Sequence, residues 1–231
     1  MLVYGRNVAK EILKNKEKVK KIYLQEGFDD KNIISLIEKS NFRVKYMPKR
    51  EIDHLADGVH QGIILDVTDY KYYDLSDLND DESFVVILDH LEDPHNFGAI
   101  IRTCEAAGVD AIIIPKDRQV QVTGTVMKTS VGTLDSMKII QVTNLPTAIS
   151  KLKDKGFWIV GTALENSTDY REIDYSGKIG LVIGNEGSGM SRLVTESCDF
   201  IAKIPMYGTT NSLNASVASG IMIYEVVRNR K

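Results

Sequence analysis

Cysteine is scarce: the 231 residues hold two, Cys104 and Cys198, far apart and outside any CxxC spacing. A disulfide framework or a structural zinc site is not expected from such a pair, and no metal is called for. Free thiols fit a reducing compartment, so the expected location is cytoplasmic. Long apolar runs are also missing. No stretch reaches about 18 apolar residues, so no membrane-spanning helix is expected. The start, Met1 to Arg6, lacks the extended apolar region of a signal peptide. There is no internal repeat and no low-complexity tract. Net charge is small, −3, which taken alone argues against a nucleic-acid partner. What is present is ordinary for a folded chain. Hydrophobic residues make up 43% and charged residues of both signs 26%, enough for packed cores and too apolar for disorder. The charge is unevenly placed. Residues 1–50 carry 13 Lys and Arg against 6 Asp and Glu, and residues 51–231 carry the remaining 16 against 26. A basic first quarter attracts phosphates. It is also what a solvated lysine-rich helix surface looks like.

The spacing of apolar residues divides the chain in two. Residues 1–68 alternate short helices and strands: helices over 5–14 and 30–39, another opened by Pro48 as its first residue and ending near Asp57-Gly58, and strands over 19–24, 42–46 and 62–67. Residues 69–82 are polar, acidic and tyrosine-containing without periodicity, as in a linker. Residues 83–231 alternate strand and helix again. Strands are predicted over 84–89, 111–114, 137–141, 157–161, 179–184 and 201–204. Helices are predicted over 96–107, near 121–130 and 146–155, and over 212–228. Strands apolar along their whole length are buried on both faces, so the second domain is expected to be α/β, a mostly parallel sheet with helices on both faces.

Three segments depart from what a core needs. The first, Asp93-Pro94-His95-Asn96-Phe97-Gly98 to Arg102-Thr103, follows the strand ending at Asp89, where α/β proteins place ligands. Asp93-Pro94 reads as a turn initiator and Asn96 as the helix cap. Arg102 falls one turn inside a helix of otherwise small or apolar residues; pairing with Glu105 at the surface would explain it equally. The second runs from an apolar strand into Gly184-Asn185-Glu186-Gly187-Ser188-Gly189. Its glycine order is neither that of a dinucleotide fingerprint nor that of a P-loop. Glu186 would repel a pyrophosphate and suits a neutral or cationic ligand; a structural turn is the plain alternative. The third, Ile204-Pro205-Met206 to Ser212-Leu213-Asn214, leads into the last helix. Ser212 or Asn211 can cap it, and Leu213, Val217, Ile221 and Tyr224 would form its buried stripe. Asn214 then exceeds what capping requires.

Together and in this order the segments resemble the SpoU/TrmH group of SPOUT RNA ribose methyltransferases. The resemblance rests on Asn96, Gly98, Arg102 and Thr103, on Gly184 to Gly189, and on Ile204 to Met206 with Ser212 to Asn214. Tyr4-Gly5-Arg6-Asn7 and His60-Gln61-Gly62 make the first domain look like the small L30e-like RNA substrate-binding domain of RlmB-type members. Phe97, Cys104 and Ala215 depart from the usual residues without removing a polar position. The resemblance implies a C-terminal trefoil knot, which general topology rules disfavour, S-adenosyl-L-methionine as cofactor, RNA as partner and a homodimer with an active site built from both subunits. It assigns cofactor binding to Gly184, Ile204 and Leu213, with Asn185, Gly187 and Met206 beside them; Thr162, ending the preceding strand, is a plausible further contact. Catalysis would fall to Arg102, supported by Asn96, Glu186, Ser212 and Asn214.

The implied reaction is attack of a ribose 2'-hydroxyl on a sulfonium methyl, for which no metal is needed and alignment supplies several kcal/mol. An arginine with pKa above ~12 is a poor base. Arg102 is therefore better read as a clamp on the RNA phosphate that stabilises the developing alkoxide. By analogy the two-domain layout favours a guanosine of 23S rRNA as substrate. The alternatives are a tRNA 2'-O-methyltransferase of the same family, a non-catalytic RNA-binding protein, and a dinucleotide-dependent oxidoreductase, which Glu186 and the glycine order oppose.

Overall fold

The computed structural model describes residues 1–14, 19–56, 58–130 and 132–230. The chain forms two compact units, one of Met1–Lys71 with Val122–Leu134 and one of Tyr72–Gln121 with Asp135–Lys231.

In the first unit the order is β1 (Leu2–Tyr4), α1 (Arg6–Ile12), β2 (Val19–Gln25), α2 (Lys31–Glu38), β3 (Val44–Met47), α3 (Lys49–Asp53) and β4 (Ile63–Val67). Among the described residues these strands make a four-stranded sheet ordered β1-β4-β2-β3, parallel only between β2 and β3. The helices form where apolar residues recur at helical spacing: α1 buries Val8, Ala9 and Ile12, and α2 buries Ile33 and Ile37. Asp30 caps α2, accepting from the N–H groups of Asn32 and Ile33. Pro48 does not open α3 as its first helical residue but precedes it at the cap. The helix stops at Asp53, and Leu55 and Ala56 beyond it pack with Met47, Ile52 and Ile64. The expected end near Asp57 lies outside the described residues.

The second unit contains β5 (Phe84–Asp89), α4 (Pro94–Ala107) and β6 (Ala111–Pro115). After α5 (Gly124–Thr129), which belongs to the first unit, come β7 (Lys138–Val142), α6 (Leu145–Asp154), β8 (Phe157–Thr162) and β9 (Thr168–Asp169). They are followed by β10 (Lys178–Gly184), α7 (Arg192–Ser197), β11 (Phe200–Lys203) and α8 (Ala215–Asn229). Among the described residues its sheet has seven strands in the order β7-β6-β5-β10-β8-β11-β9, and every pairing is parallel. The expected α/β architecture is therefore observed, and its cause is visible: every residue of β5 and β6 is buried, so neither face can meet water. The polar stretch before β5 is packed on this unit. Tyr73 pairs with Ile140 at the sheet edge, Leu78 is buried, and Lys138 Nζ donates to the Asp77 carbonyl and to Glu82.

Two helix starts differ from the sequence expectation. Asp93, not Asn96, caps α4, accepting from the His95 N–H with Pro94 in the first turn. Asn214, not Ser212 or Asn211, caps α8, accepting from the N–H groups of Ser216 and Val217. The buried face of α8 differs too. Ala215, Ser219, Met222, Ile223 and Val226 turn inward. Val217 and Tyr224, from the stripe expected to be buried, are each 52% exposed. No helix among the described residues is long and apolar enough to cross a membrane.

Candidate active site

Because all strands of the second sheet are parallel, their carboxyl ends share one edge. The loops after β5, β8, β10 and β11 therefore emerge together. The strand order reverses between β5 and β10, the position where open α/β sheets hold ligands.

Three side chains tie the loops after β5, β10 and β11. Asn96 is buried, and its Nδ2 donates to Glu186 Oε1 at 3.0 Å. Asn214 Nδ2 donates to Asn96 Oδ1 at 2.9 Å. The three singled-out segments thus meet at one amide, Asn96, which donates to a carboxylate on one side and accepts from a carboxamide on the other. Its displacement from the cap makes this possible: Asp93 satisfies the helix start, so the Asn96 side chain is free to leave its own backbone. Asn214 caps and bridges at once, through Oδ1 and Nδ2 respectively.

Next to this junction in the sequence lies a cleft of about 150 Å³ whose lining includes Thr162, Ile204, Met206, Ser212, Leu213 and Met222. Thr162 is held by its hydroxyl, which donates to the Val182 carbonyl at 3.0 Å. The chemistry of the lining fits S-adenosylmethionine. Apolar side chains offer a bed for adenine, and Lys203, also in the lining, is a cation for the carboxylate. Residues 205–213 form no helix or strand, and among the described residues their peptide groups make no backbone–backbone hydrogen bond, so they can serve a polar ligand. The volume is below the roughly 300–1,000 Å³ of ligand sites in general.

The glycine loop is held differently. Asn185 and Gly189 exchange two backbone bonds of 3.0 Å each. The Asn185 side chain donates to the His90 carbonyl at 2.7 Å and accepts from the N–H groups of Gly187 and Ser188. A Cβ on Gly184 would lie 2.4 Å from backbone atoms of Gly189 and Met190. Gly184, Asn185 and Gly187 are thus not in the lining of the cleft formed by Thr162 and Leu213; what they do in this structure is shape the loop that presents Glu186. Arg102 lies on the exposed side of α4, and its guanidinium has no carboxylate partner among the described residues. Glu105, the partner that a plain surface role would give it, accepts from Ser136 instead. Arg102 is not in the cleft lining either.

Asp89 escaped the sequence reading. Its buried carboxylate accepts from the Ser191 N–H at 2.6 Å and lies 2.6 Å from His90 Nδ1, fastening the glycine loop to β5. The signal was available: a carboxylate closing a strand that is otherwise wholly apolar.

The chain is similar to known proteins along its whole length. Residues 83–224 match the SpoU rRNA Methylase family, and residues 2–73 match a domain described as RNA 2'-O ribose methyltransferase substrate binding. A protein of Staphylococcus saprophyticus named as a TrmH family tRNA/rRNA methyltransferase is 46% identical, over 100% of this chain and 96% of its own. Among solved structures, the SpoU methyltransferase AviRb of Streptomyces viridochromogenes, in complex with AdoMet, superposes with a TM-score of 0.81 at 25% identity, covering 99% of this chain and 89% of that one. The AdoMet-bound rRNA methyltransferase of Sinorhizobium meliloti gives 0.80 at 27% identity, covering 98% and 86%. With both units matched end to end and the three polar segments joined at Asn96, the chain belongs to the SpoU/TrmH family of RNA methyltransferases.

Proposed function

We propose that the chain methylates the ribose 2'-hydroxyl of a guanosine in RNA, with 23S rRNA as the favoured substrate. The observation that carries the reading is the Asn96 bridge between Glu186 and Asn214, beside the cleft lined by Thr162, Ile204 and Leu213. S-adenosylmethionine, when bound, supplies an electrophilic methyl group on a sulfonium. The chain's own task is alignment and charge. Thr162, Ile204, Met206 and Leu213 hold the cofactor, within a C-terminal trefoil knot, and the Gly184, Asn185 and Gly187 backbone fixes the loop beside it. Asn96, Glu186, Ser212 and Asn214 position the ribose. Bound there, the donor would give its methyl group to the ribose oxygen and keep the S–C electron pair on sulfur, and the hydroxyl proton would pass to solvent. Arg102 holds the phosphate and stabilises the oxygen as it becomes negative.

An exposed arginine without a carboxylate partner suits this role if it reaches a neighbouring subunit's cleft. A homodimer gives that arrangement. The exposed apolar side chains of α8, Val217 and Tyr224, support it. A tRNA remains the second candidate substrate, and the cytoplasm is the compartment where either RNA is met.

Arg102→Ala should abolish methyl transfer while leaving cofactor binding almost intact, and Arg102→Lys should stay badly impaired because charge remains but the bidentate fork is gone. Tritiated methyl transfer to unmodified 23S rRNA and to tRNA, beside calorimetry with S-adenosylmethionine, tests this. Near-normal turnover in Arg102→Ala removes the assignment. Label found on a base instead of a 2'-oxygen removes the reaction.

A further inference from the structure

The first unit has a cavity of its own, about 740 Å³, in the size range of ligand sites. Its walls include Arg6, Phe28, Lys49, Val59, His60 and Gln61. Arg6 is the organising group. Its guanidinium carbon lies 5.1 Å from the centroid of the Phe28 ring. Its Nη2 donates to Asp29 at 3.1 Å and its Nε to the Gln61 carbonyl at 3.3 Å. One edge and one face of the plane are therefore committed, yet the side chain is still 40% exposed. A free surface arginine loses considerable rotamer entropy when it binds; this one has its plane fixed beforehand.

The fixing is not incidental. Gln61 has a left-handed backbone, φ 53°, a conformation that costs a non-glycine residue energy and persists only where its surroundings enforce it. Gln61 Oε1 accepts from the Arg6 backbone N–H at 2.8 Å, and the Gln61 carbonyl takes Arg6 Nε. The same turn is locked by His60. The Gly62 N–H donates to His60 Nδ1 at 3.0 Å, so the ring proton sits on Nε2 and is donated to Asp53 at 2.7 Å. Asp53 in turn holds Lys49 Nζ at 2.8 Å. Beside these groups Val59 presents a 72% exposed apolar side chain. A surface ion pair between Arg6 and Asp29 alone requires neither a strained Gln61 nor an exposed valine.

A prepositioned planar cation, an apolar wall and an exposed lysine match the three parts of a nucleotide: a π-face, the base edge and sugar, and a phosphate. We propose that this cavity takes one unpaired nucleotide of the RNA substrate, its base stacked on the free face of Arg6 and its phosphate towards Lys49. A base within a duplex is stacked on its neighbours and cannot enter, so the site selects a loop, bulge or end. The proposal rests on the reading that the chain acts on RNA and adds a second contact point to the methylated nucleotide.

The test uses the full chain and a fluorescent single-stranded oligoribonucleotide of about ten nucleotides containing 2-aminopurine, within the usual site sizes. Wild type should quench the 2-aminopurine and bind the single strand better than the same sequence in a duplex. Arg6→Ala should lose the quenching and bind about 10- to 100-fold more weakly, the worth of one stacked base. Arg6→Lys keeps the charge and should recover only part of the affinity. Thermal melting and S-adenosylmethionine binding, expected to be unchanged, show that each variant is folded; if Arg6→Ala does not fold, Arg6→Lys carries the comparison. Equal quenching and affinity in folded Arg6 variants overturns the proposal, as does equal binding of single strand and duplex. The two readings fail separately. Wild type that methylates neither rRNA nor tRNA refutes the enzymatic reading whatever Arg6 does. Wild type that methylates RNA while folded Arg6 variants methylate it with the same KM refutes the nucleotide site alone.

Discussion

Asn96 shows how one side chain can couple three loops. Its carboxamide has a donor and an acceptor on opposite edges, and each is used: the donor on Glu186, the acceptor on Asn214. The arrangement is directional, so a substitution in Asn214 can separate its two jobs. Asn214→Asp keeps an oxygen for the N–H groups of Ser216 and Val217 and adds a negative charge at a helix start, where it is favourable. It removes the donor to Asn96. In either orientation the Asn96 amide then faces carboxylates on both edges and can donate well to only one of them. The cap is retained, so the melting temperature should stay close to wild type, within about 1 kcal/mol of stability. Methyl transfer should fall at least about tenfold, the loss of one well-placed hydrogen bond to a charged network. Differential scanning calorimetry and radiolabel transfer on the same preparation read the two effects. A variant that loses stability but keeps activity would show that Asn214 is only a cap.

The glycine loop is an element in which equal letters carry unequal physics. A Cβ at Gly184 would come within 2.4 Å of the backbone of Gly189 and Met190, atoms that cannot move without opening the loop. At Gly187 the nearest atom, Asn185 Oδ1, would be 3.6 Å away, an ordinary contact. Gly184→Ala should therefore destabilise by about 1–3 kcal/mol and lower the melting temperature by several degrees, whereas Gly187→Ala should melt like wild type. Equal melting curves would show that the loop yields at both places. The sequence could announce a tight turn here but not which glycine needs its missing side chain, because that depends on how the loop folds back on itself. The same limit runs through the other elements. Long apolar strands such as β5 and β6 were legible because burial on both faces demands apolar residues along nearly their whole length. The three-residue β1 and two-residue β9 were not, being too short to show alternation. The caps of α4 and α8 were misplaced because each start offers several capping residues within three or four positions, and backbone geometry chooses among them. That Asn96 and Asn214, 118 residues apart, touch is a tertiary fact no local pattern contains. That both belonged to a site was legible, since neither suited a core.

The whole molecule explains why α8 was assigned the wrong face. The helix is apolar on two sides. Ala215, Met222, Ile223 and Val226 are covered within the chain, while Val217 and Tyr224, with Ile221 half-buried beside them, remain outside. These positions recur at intervals of four and three, the spacing of a single helical stripe. Covering it with the same stripe of a second copy is the self-complementary solution available to a twofold dimer. In the proposed enzyme such a dimer would also give Arg102 a neighbouring cleft to serve. Charge at the centre of the stripe should then break the assembly without disturbing the fold, because the altered side chains already face water in the single chain. Val217→Glu combined with Tyr224→Glu should sediment as a monomer of about half the wild-type mass, with its far-ultraviolet circular dichroism unchanged. Methyl transfer should be lost with the dimer. Mixing this variant with Arg102→Ala should restore no activity, since the variant cannot associate with either chain. Wild type sedimenting as a monomer while still methylating RNA would show that one chain completes the site alone, with Arg102 acting on its own cleft.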